Sequence, residues 1–255
     1  MRLVDTHCHL NDAKAFPNPA EVIEEARAAG VDRLIVVAVD NEWSQIALDL
    51  SDQFEGVYAV VGWHPSHAAD YKATDIEVIR SMAAHPKCVA IGEVGFDFYW
   101  DHATRQQQED CLHPQLDLAE ELGKPLVFHC RDAYPDLLRL LEDRRPQTKM
   151  LFHCFSGDEA DADRALALDC WFGVDGPLTY PKNEAGRALF ARLPKDKVVI
   201  ETDAPWLAPV PYRGKGNRPS YVVHVNKALA DCWGVSPEDS AAITTANAER
   251  FFGLP

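Results

Sequence analysis

No stretch of about 18 consecutive apolar residues occurs, which excludes a membrane-spanning helix, although 47% of the 255 residues are hydrophobic. The N-terminus has no basic segment followed by an apolar one, so secretion is not expected. No Cys-x-x-Cys occurs. The seven cysteines are scattered, and Cys8, Cys88, Cys130 and Cys154 fall inside strand or helix patterns, which predicts a reduced, cytoplasmic protein. A Gly-x-Ser-x-Gly elbow is also missing, which argues against a Ser-His-Asp hydrolase. Positive charge is scarce, with 25 Lys and Arg against 40 Asp and Glu and a net charge of −15. Such a chain cannot coat nucleic acid by neutralising many phosphates. A narrow metal-centred pocket for the end of a phosphate chain stays open, because bound divalent ions add charge that a residue count omits. No repeat, low-complexity tract or Ser/Gly linker divides the sequence, so one domain over 1–255 and a monomeric state are expected.

What is present is an alternation. Short apolar runs at 2–9, 33–39, 57–64, 88–95, 125–131, 149–155, 170–175 and 198–203 read as strands buried on both faces. Between them lie segments of helical spacing: Glu21 to Arg27, stopped at Gly30, then Asp75 to Ala84, Arg105 to Leu122, Tyr134 to Arg144 and Glu159 to Leu168. Two further helices, 219–233 and 237–252, follow the last strand. Eight strand–helix alternations predict an α/β fold of the (β/α)8 TIM-barrel type with an extra C-terminal helix. The alternative is an open doubly wound sheet.

Titratable side chains sit near the ends of these strands, where parallel barrels carry their chemistry. The first run, Val4-Asp5-Thr6-His7-Cys8-His9-Leu10, has histidines at i and i+2, which share one face of a strand. Glu93, His129, His153 and Asp203 occupy comparable places in runs four, five, six and eight. Any one of them is ordinarily a satisfied core polar group. Six of them near one end of a barrel are another matter, because a buried charge without a partner costs several kcal/mol. The inventory is nitrogen and oxygen without thiolate, which suits Mg, Mn, Zn, Ni or Co. Six ligands exceed what one catalytic tetrahedral ion takes, and fit two ions sharing a carboxylate. His7, His9 and Asp203 are assigned to one ion, His129 and His153 to the other, and Glu93 to the bridge. Metal-bound hydroxide would be the nucleophile, oriented by Asp203 as base. Strand parity puts Glu201 on the side of Asp203. It either lies beside the metal layer or is a solvated strand-end carboxylate.

In this order and spacing the motifs resemble the TatD family of metal-dependent deoxyribonucleases nearly end to end. They are Asp5-Thr6-His7-Cys8-His9-Leu10, Gly62-Trp63-His64-Pro65, Ala90-Ile91-Gly92-Glu93-Val94-Gly95-Phe96-Asp97, Gln106-Gln107-Gln108, Lys124 to Asp132, His153-Cys154-Phe155-Ser156-Gly157, Glu201 to Leu207 and Asn217-Arg218-Pro219. The resemblance implies a TIM-barrel hydrolase of DNA phosphodiesters, with two divalent ions on the six residues above. It also implies a 3′→5′ exonuclease acting on single-stranded or damaged DNA, with a place in DNA repair. The family's further site histidine corresponds to His64, in a phosphate-binding or proton-shuttling role. Arg131 and Arg218 are candidate phosphate clamps, since guanidinium matches phosphate bidentately. Each could equally be an ion-paired surface arginine. The basic loop 212–218 either meets the DNA backbone or is an ordinary loop. Aromatics after Asp97 could stack on unpaired bases, but at least two of Phe98, Tyr99 and Trp100 are expected to pack loops instead.

The nearest rival is a binuclear hydrolase of the same architecture acting on a small amide, lactone or phosphoester. Many such enzymes bridge their metals with a carboxylated lysine on strand four; here Glu93 stands there, with no lysine in the run. A catalytically idle scaffold would be expected to have lost part of the ligand set, which this chain keeps.

Overall fold

The computed structural model describes residues 1–255. Its strands are β1 (Leu3–Cys8), β2 (Val31–Val37), β3 (Val57–Val61), β4 (Cys88–Asp97), β5 (Leu126–Arg131), β6 (Met150–Phe152), β7 (Trp171–Val174) and β8 (Val198–Ile200). Its helices are α1 (Pro19–Ala28), α2 (Asn41–Gln53), α3 (Asp75–Ala83), α4 (Arg105–Leu122), α5 (Tyr134–Arg144), α6 (Glu159–Ala167), α7 (Glu184–Arg192), α8 (Val222–Trp233) and α9 (Pro237–Phe252). The strands follow one another through a single eight-stranded sheet in chain order. Parallel strands alternating with helices in this order are the (β/α)8 barrel fold, and α9 is the additional C-terminal helix. Two compact units make up the chain, Met1–Val36 with Phe172–Pro255, and Val37–Trp171.

In the first unit β1 pairs with β2, matching Leu3 with Val31 and Asp5 with Leu34. β7 pairs with β8 from Phe172–Val198 to Val174–Ile200. The chain leaving β8 returns to β1, where Asp203 N–H donates to His7 O at 2.9 Å and Cys8 bridges Ala204. Helix α9 fastens both ends of this arrangement. Asn247 Nδ2 donates to the carbonyls of Lys195 and Val198, each at 2.7 Å, and Thr245 Oγ1 to Arg2 O at 3.0 Å.

In the second unit β4 is the longest strand, and β5 lies against it with Gly95 opposite His129. A side chain at Gly95, where φ is 136°, would place Cβ 2.1 Å from His129 O, so only glycine admits this approach. Helix α4 supports two of the loops beyond the strands. Gln115 accepts from Trp63 N–H at 2.7 Å and donates to Trp63 O at 3.1 Å. Gln108 does the same for Asp97, accepting from its N–H at 2.8 Å and donating to its carbonyl at 2.7 Å. The run Gln106-Gln107-Gln108 is thereby explained in part, since Gln107 also closes a capping box with Thr104 at the start of α4.

The expected strands 57–64, 149–155 and 198–203 are longer than those formed. Their ladders stop at Val61, Phe152 and Ile200, so His64, His153 and Asp203 stand on the turns beyond. Proline follows His64, and Cys154 and Asp203 take positive φ of 44° and 55°, none of which continues a parallel ladder. The second strand begins at Val31 rather than 33: Val31 is buried and pairs with Leu3, and the exposed Asp32 after it conceals this start in the sequence. Helix α8 begins at Val222, after a 3-10 turn at Pro219–Tyr221. Helices α2 and α7 fall outside the expected set. Buried Ser44 and Ser51 break the apolar face of α2, and α7 buries only Leu189 and Phe190.

Helix α2 starts at Asp40, whose carboxylate accepts from Trp43 N–H at 2.8 Å. Burial alone would raise its pKa, but the His67 ring 3.6 Å away and the Trp43 N–H bond outweigh it and hold the group below the usual carboxylate value. A lowered folded-state pKa gives stability that is present above about pH 4 and is lost as pH falls through the folded value. Asp40→Ala should therefore cost about 1 kcal/mol in urea unfolding at neutral pH. The gap to the parent protein should narrow below about pH 4; a gap that stays constant with pH would remove the charged cap from this account.

Candidate metal centre

The first unit gathers one set of donors. His7 lies on β1 and His9 one residue past its end, and both are buried. Their Nε2 atoms face each other at 3.3 Å. Asp203 Oδ1 stands 3.3 Å from His9 Nε2 and 3.9 Å from His7 Nε2. The left-handed backbone at Asp203, tolerated by aspartate, brings its carboxylate to these rings. Behind it Asp5, fully buried, accepts from Thr202 N–H at 2.9 Å and from Thr202 Oγ1 at 2.6 Å. Asp5 thus clamps the residue before Asp203. Burial drives the Asp5 carboxyl well above its ordinary pKa, against the pull of these donors. Glu201 is fully buried as well, with Thr6 Oγ1 donating to Oε2 at 3.4 Å. Its carboxylate lies against Gly173, where an added Cβ would come within 2.6 Å of it. The solvated alternative for Glu201 is therefore corrected: with no side chain on Gly173, a carboxylate fits into the interior there.

A second set belongs to the second unit. Glu93 Oε1 is 2.9 Å from His129 Nδ1, 2.6 Å from His153 Nε2 and 3.5 Å from His64 Nε2. His129 Nδ1 and His153 Nε2 are 3.4 Å apart. On the other side of the His129 ring, Nε2–H donates to Asp97 Oδ2 at 2.8 Å. With its proton held there, a neutral His129 presents a lone pair to the Glu93 oxygen. Two acceptors at 2.9 Å need a proton or a cation between them. Burial disfavours a charged His129, yet its bonds to Asp97 and Glu93 outweigh that and raise its pKa. Asp97 carries the complementary shift: burial opposes its charge, the His129 bond wins, and its pKa is lowered.

Both sets fit a divalent cation by composition and spacing. Atoms about 2.1 Å from a common ion lie about 3.0–3.4 Å from one another in octahedral or tetrahedral arrangement. Cys8, between the two histidines on the strand, faces the other way, with its Sγ 3.5 Å from Ile35 O, and burial pushes the Cys8 and Cys130 thiols up. His64 stands apart. Its Nδ1 accepts from Ser66 N–H at 3.0 Å and contacts Ser66 Oγ at 2.7 Å, so the neutral ring carries its proton on Nε2. Burial first, and the neighbouring His129 second, lower its pKa to about 4.

The two arginines part ways. Arg218 is ion-paired with Glu25, which removes the free guanidinium expected of a clamp. Arg131 instead lies over the Tyr99 ring, 3.8 Å from its centroid. Tyr99 and Trp100 are both exposed, at 53% and 47%. The expectation that at least two of the three aromatics after Asp97 pack loops is corrected; only Phe98 is partly covered, stacking on Phe96 at 5.5 Å. In the basic loop, Arg213 sits over Tyr180 at 4.3 Å.

Asp5 and Asp97 had no assigned role in the sequence reading. The signal for both was an acidic residue inside an apolar run, which reveals burial but not the partner. If Asp97 fixes the His129 ring, Asp97→Ala should weaken Mn²⁺ or Zn²⁺ binding in calorimetry by about 10–100-fold. Unchanged affinity in a folded variant would reduce Asp97 to a loop anchor.

Comparison with known proteins bears on the chain as a whole. Residues 4–253 match the family model described as TatD related DNase. The chain is 36% identical over 253 residues to the uncharacterized metal-dependent hydrolase YabD of Bacillus subtilis, covering 99% of both chains. It is 34% identical to a 3′-5′ ssDNA/RNA exonuclease TatD of Citrobacter rodentium, covering 99% of this chain and 98% of the other. The crystal structure of YjjV, a TatD homolog from Escherichia coli K12, superposes with a TM-score of 0.93 at 29% identity, covering 100% of this chain and 99% of that one. The chain belongs to the TatD-related DNase family and is a metal-dependent hydrolase acting on ester bonds.

Proposed function

We propose that this hydrolase is a divalent-metal-dependent deoxyribonuclease, a 3′→5′ exonuclease on single-stranded or damaged DNA. In this reading His7, His9 and Asp203 would hold one ion and His129 and His153 a second, with Glu93 serving both. Mg²⁺ or Mn²⁺ is the working metal, with Zn²⁺, Ni²⁺ or Co²⁺ also accommodated by the donors. The observation that carries it is the pair of donor sets. Each joins two imidazoles to a carboxylate oxygen at spacings between 2.6 and 3.9 Å. Divalent ions, when bound, supply positive charge at the phosphoryl group and acidify water.

The chain's own residues do the remainder. Asp203 is 9% exposed, the most open of the buried carboxylates in these sets, and is placed to orient a water and accept its proton. Glu93 holds the two histidines of its set. His64, neutral at pH 7 and protonated on Nε2, donates a hydrogen bond to a phosphoryl or leaving oxygen. Ser66 secures that tautomer. Arg131 supplies the phosphate contact; Arg218 contributes one only if it leaves Glu25.

The test is digestion of 3′- and 5′-labelled single-stranded DNA with Mg²⁺ or Mn²⁺, with EDTA and with Asp203→Ala and Glu93→Ala proteins. Stepwise loss of the 3′ label is expected, lowered by at least about 10²-fold in either variant. Interior fragments would make the enzyme an endonuclease. Absence of cleavage by metal-loaded protein would favour a small amide, lactone or phosphoester as substrate.

A further inference from the structure

The segment after Asp97 departs from what buried barrel loops do. Tyr99 and Trp100 are large aromatic side chains left about half exposed. They meet edge to face at 4.8 Å and 90°, and Trp100 stacks on His102 at 5.6 Å and 14°. Arg131 completes the group, 3.8 Å above Tyr99 and 5.7 Å from Trp100. In a chain of net charge −15 this guanidinium is matched with ring faces rather than with a carboxylate. An arginine flattened on an aromatic keeps its N–H edges for an anion.

The group is also tied to the metal-binding histidine. Asp97 Oδ1 accepts from Tyr99 N–H and Trp100 N–H, both at 3.0 Å, while Oδ2 accepts from His129 Nε2–H at 2.8 Å. One carboxylate therefore sets the orientation of the His129 ring and the backbone that carries the aromatics. Arg131 itself lies two residues beyond His129 on β5. Through Asp97 the platform is positioned relative to His129, a link that a surface patch for a protein partner does not need.

We propose that Tyr99, Trp100 and Arg131 form a subsite for one unstacked nucleobase and its neighbouring phosphate on a single-stranded nucleic acid. The proposal rests on the nuclease reading and names the residues that would select its single-stranded substrate. Only an unpaired base presents a free face for Tyr99 and Trp100, and every base has such a face, so the subsite selects single strands without selecting sequence.

The experiment is equilibrium binding by fluorescence anisotropy in EDTA. It compares a labelled oligothymidylate with an oligomer of equal length whose sugars are abasic. The parent protein should bind the thymidylate about tenfold or more tightly. The double variant Tyr99→Ala, Trp100→Ala should bind the two alike, and Trp100→Phe should restore most of the difference. Arg131→Ala should reduce the salt dependence by about 0.7 in log K against log salt, as for one lost phosphate contact on a single strand. Thermal melting of each variant separates loss of the subsite from loss of the fold. Equal affinity of the parent protein for both oligomers, or an undiminished preference in the double variant, would overturn the proposal. Discrimination without cleavage in the labelled-DNA assay would sink the nuclease reading and leave the subsite standing. Cleavage without discrimination would do the reverse.

Discussion

Burying acidic oxygens against imidazole nitrogens is the constraint on which the rest depends. Glu93 is 2% exposed and faces His129 and His153; Asp203 faces His7 and His9. Charges taken from water at this depth cost several kcal/mol each unless compensated. Protons on the rings compensate part of this, as where His129 lies between Asp97 and Glu93. A divalent cation held by such a set would accept several of these lone pairs at once. The sheet, the glycine approach at Gly95 and the buried Asp5 and Asp97 serve to hold these groups where a cation can use them.

A recurring device supports the donors. Three turns around the donors are fixed by a buried polar side chain from elsewhere: Asp5 on Thr202, Gln115 on Trp63 beside His64, and Gln108 on Asp97. Side chains locked in this way hold a ligand set rigid, and rigidity in the supporting groups is what tunes metal affinity. Such contacts are hydrogen bonds of 2.6 to 3.1 Å between residues at least 11 positions apart in sequence. None of them leaves a periodic trace.

That explains what the sequence could and could not reveal. The eight strands were legible because continuous apolar runs survive inspection one residue at a time. The six donors were legible because a histidine or carboxylate inside such a run is conspicuous. Helices α2 and α7 were not, since buried serines or too few apolar residues blur their faces. Strand ends were overrun at His64, His153 and Asp203, where proline or a left-handed residue stops a ladder that hydropathy alone would continue. The burial of Glu201 depends on the absence of a side chain at Gly173 on another strand. The exposure of Tyr99 and Trp100 contradicts the ordinary habit of aromatic residues, and the habit was the only guide available from composition.

Metal content tests the central claim most directly. After loading with Mn²⁺ or Zn²⁺ and removal of excess, elemental analysis should find two ions per chain. His9→Ala and His153→Ala should each lower the content to one, because each removes a ligand from a different donor set. A single ion in the parent protein, or two ions retained in either folded variant, would contradict the two-set account.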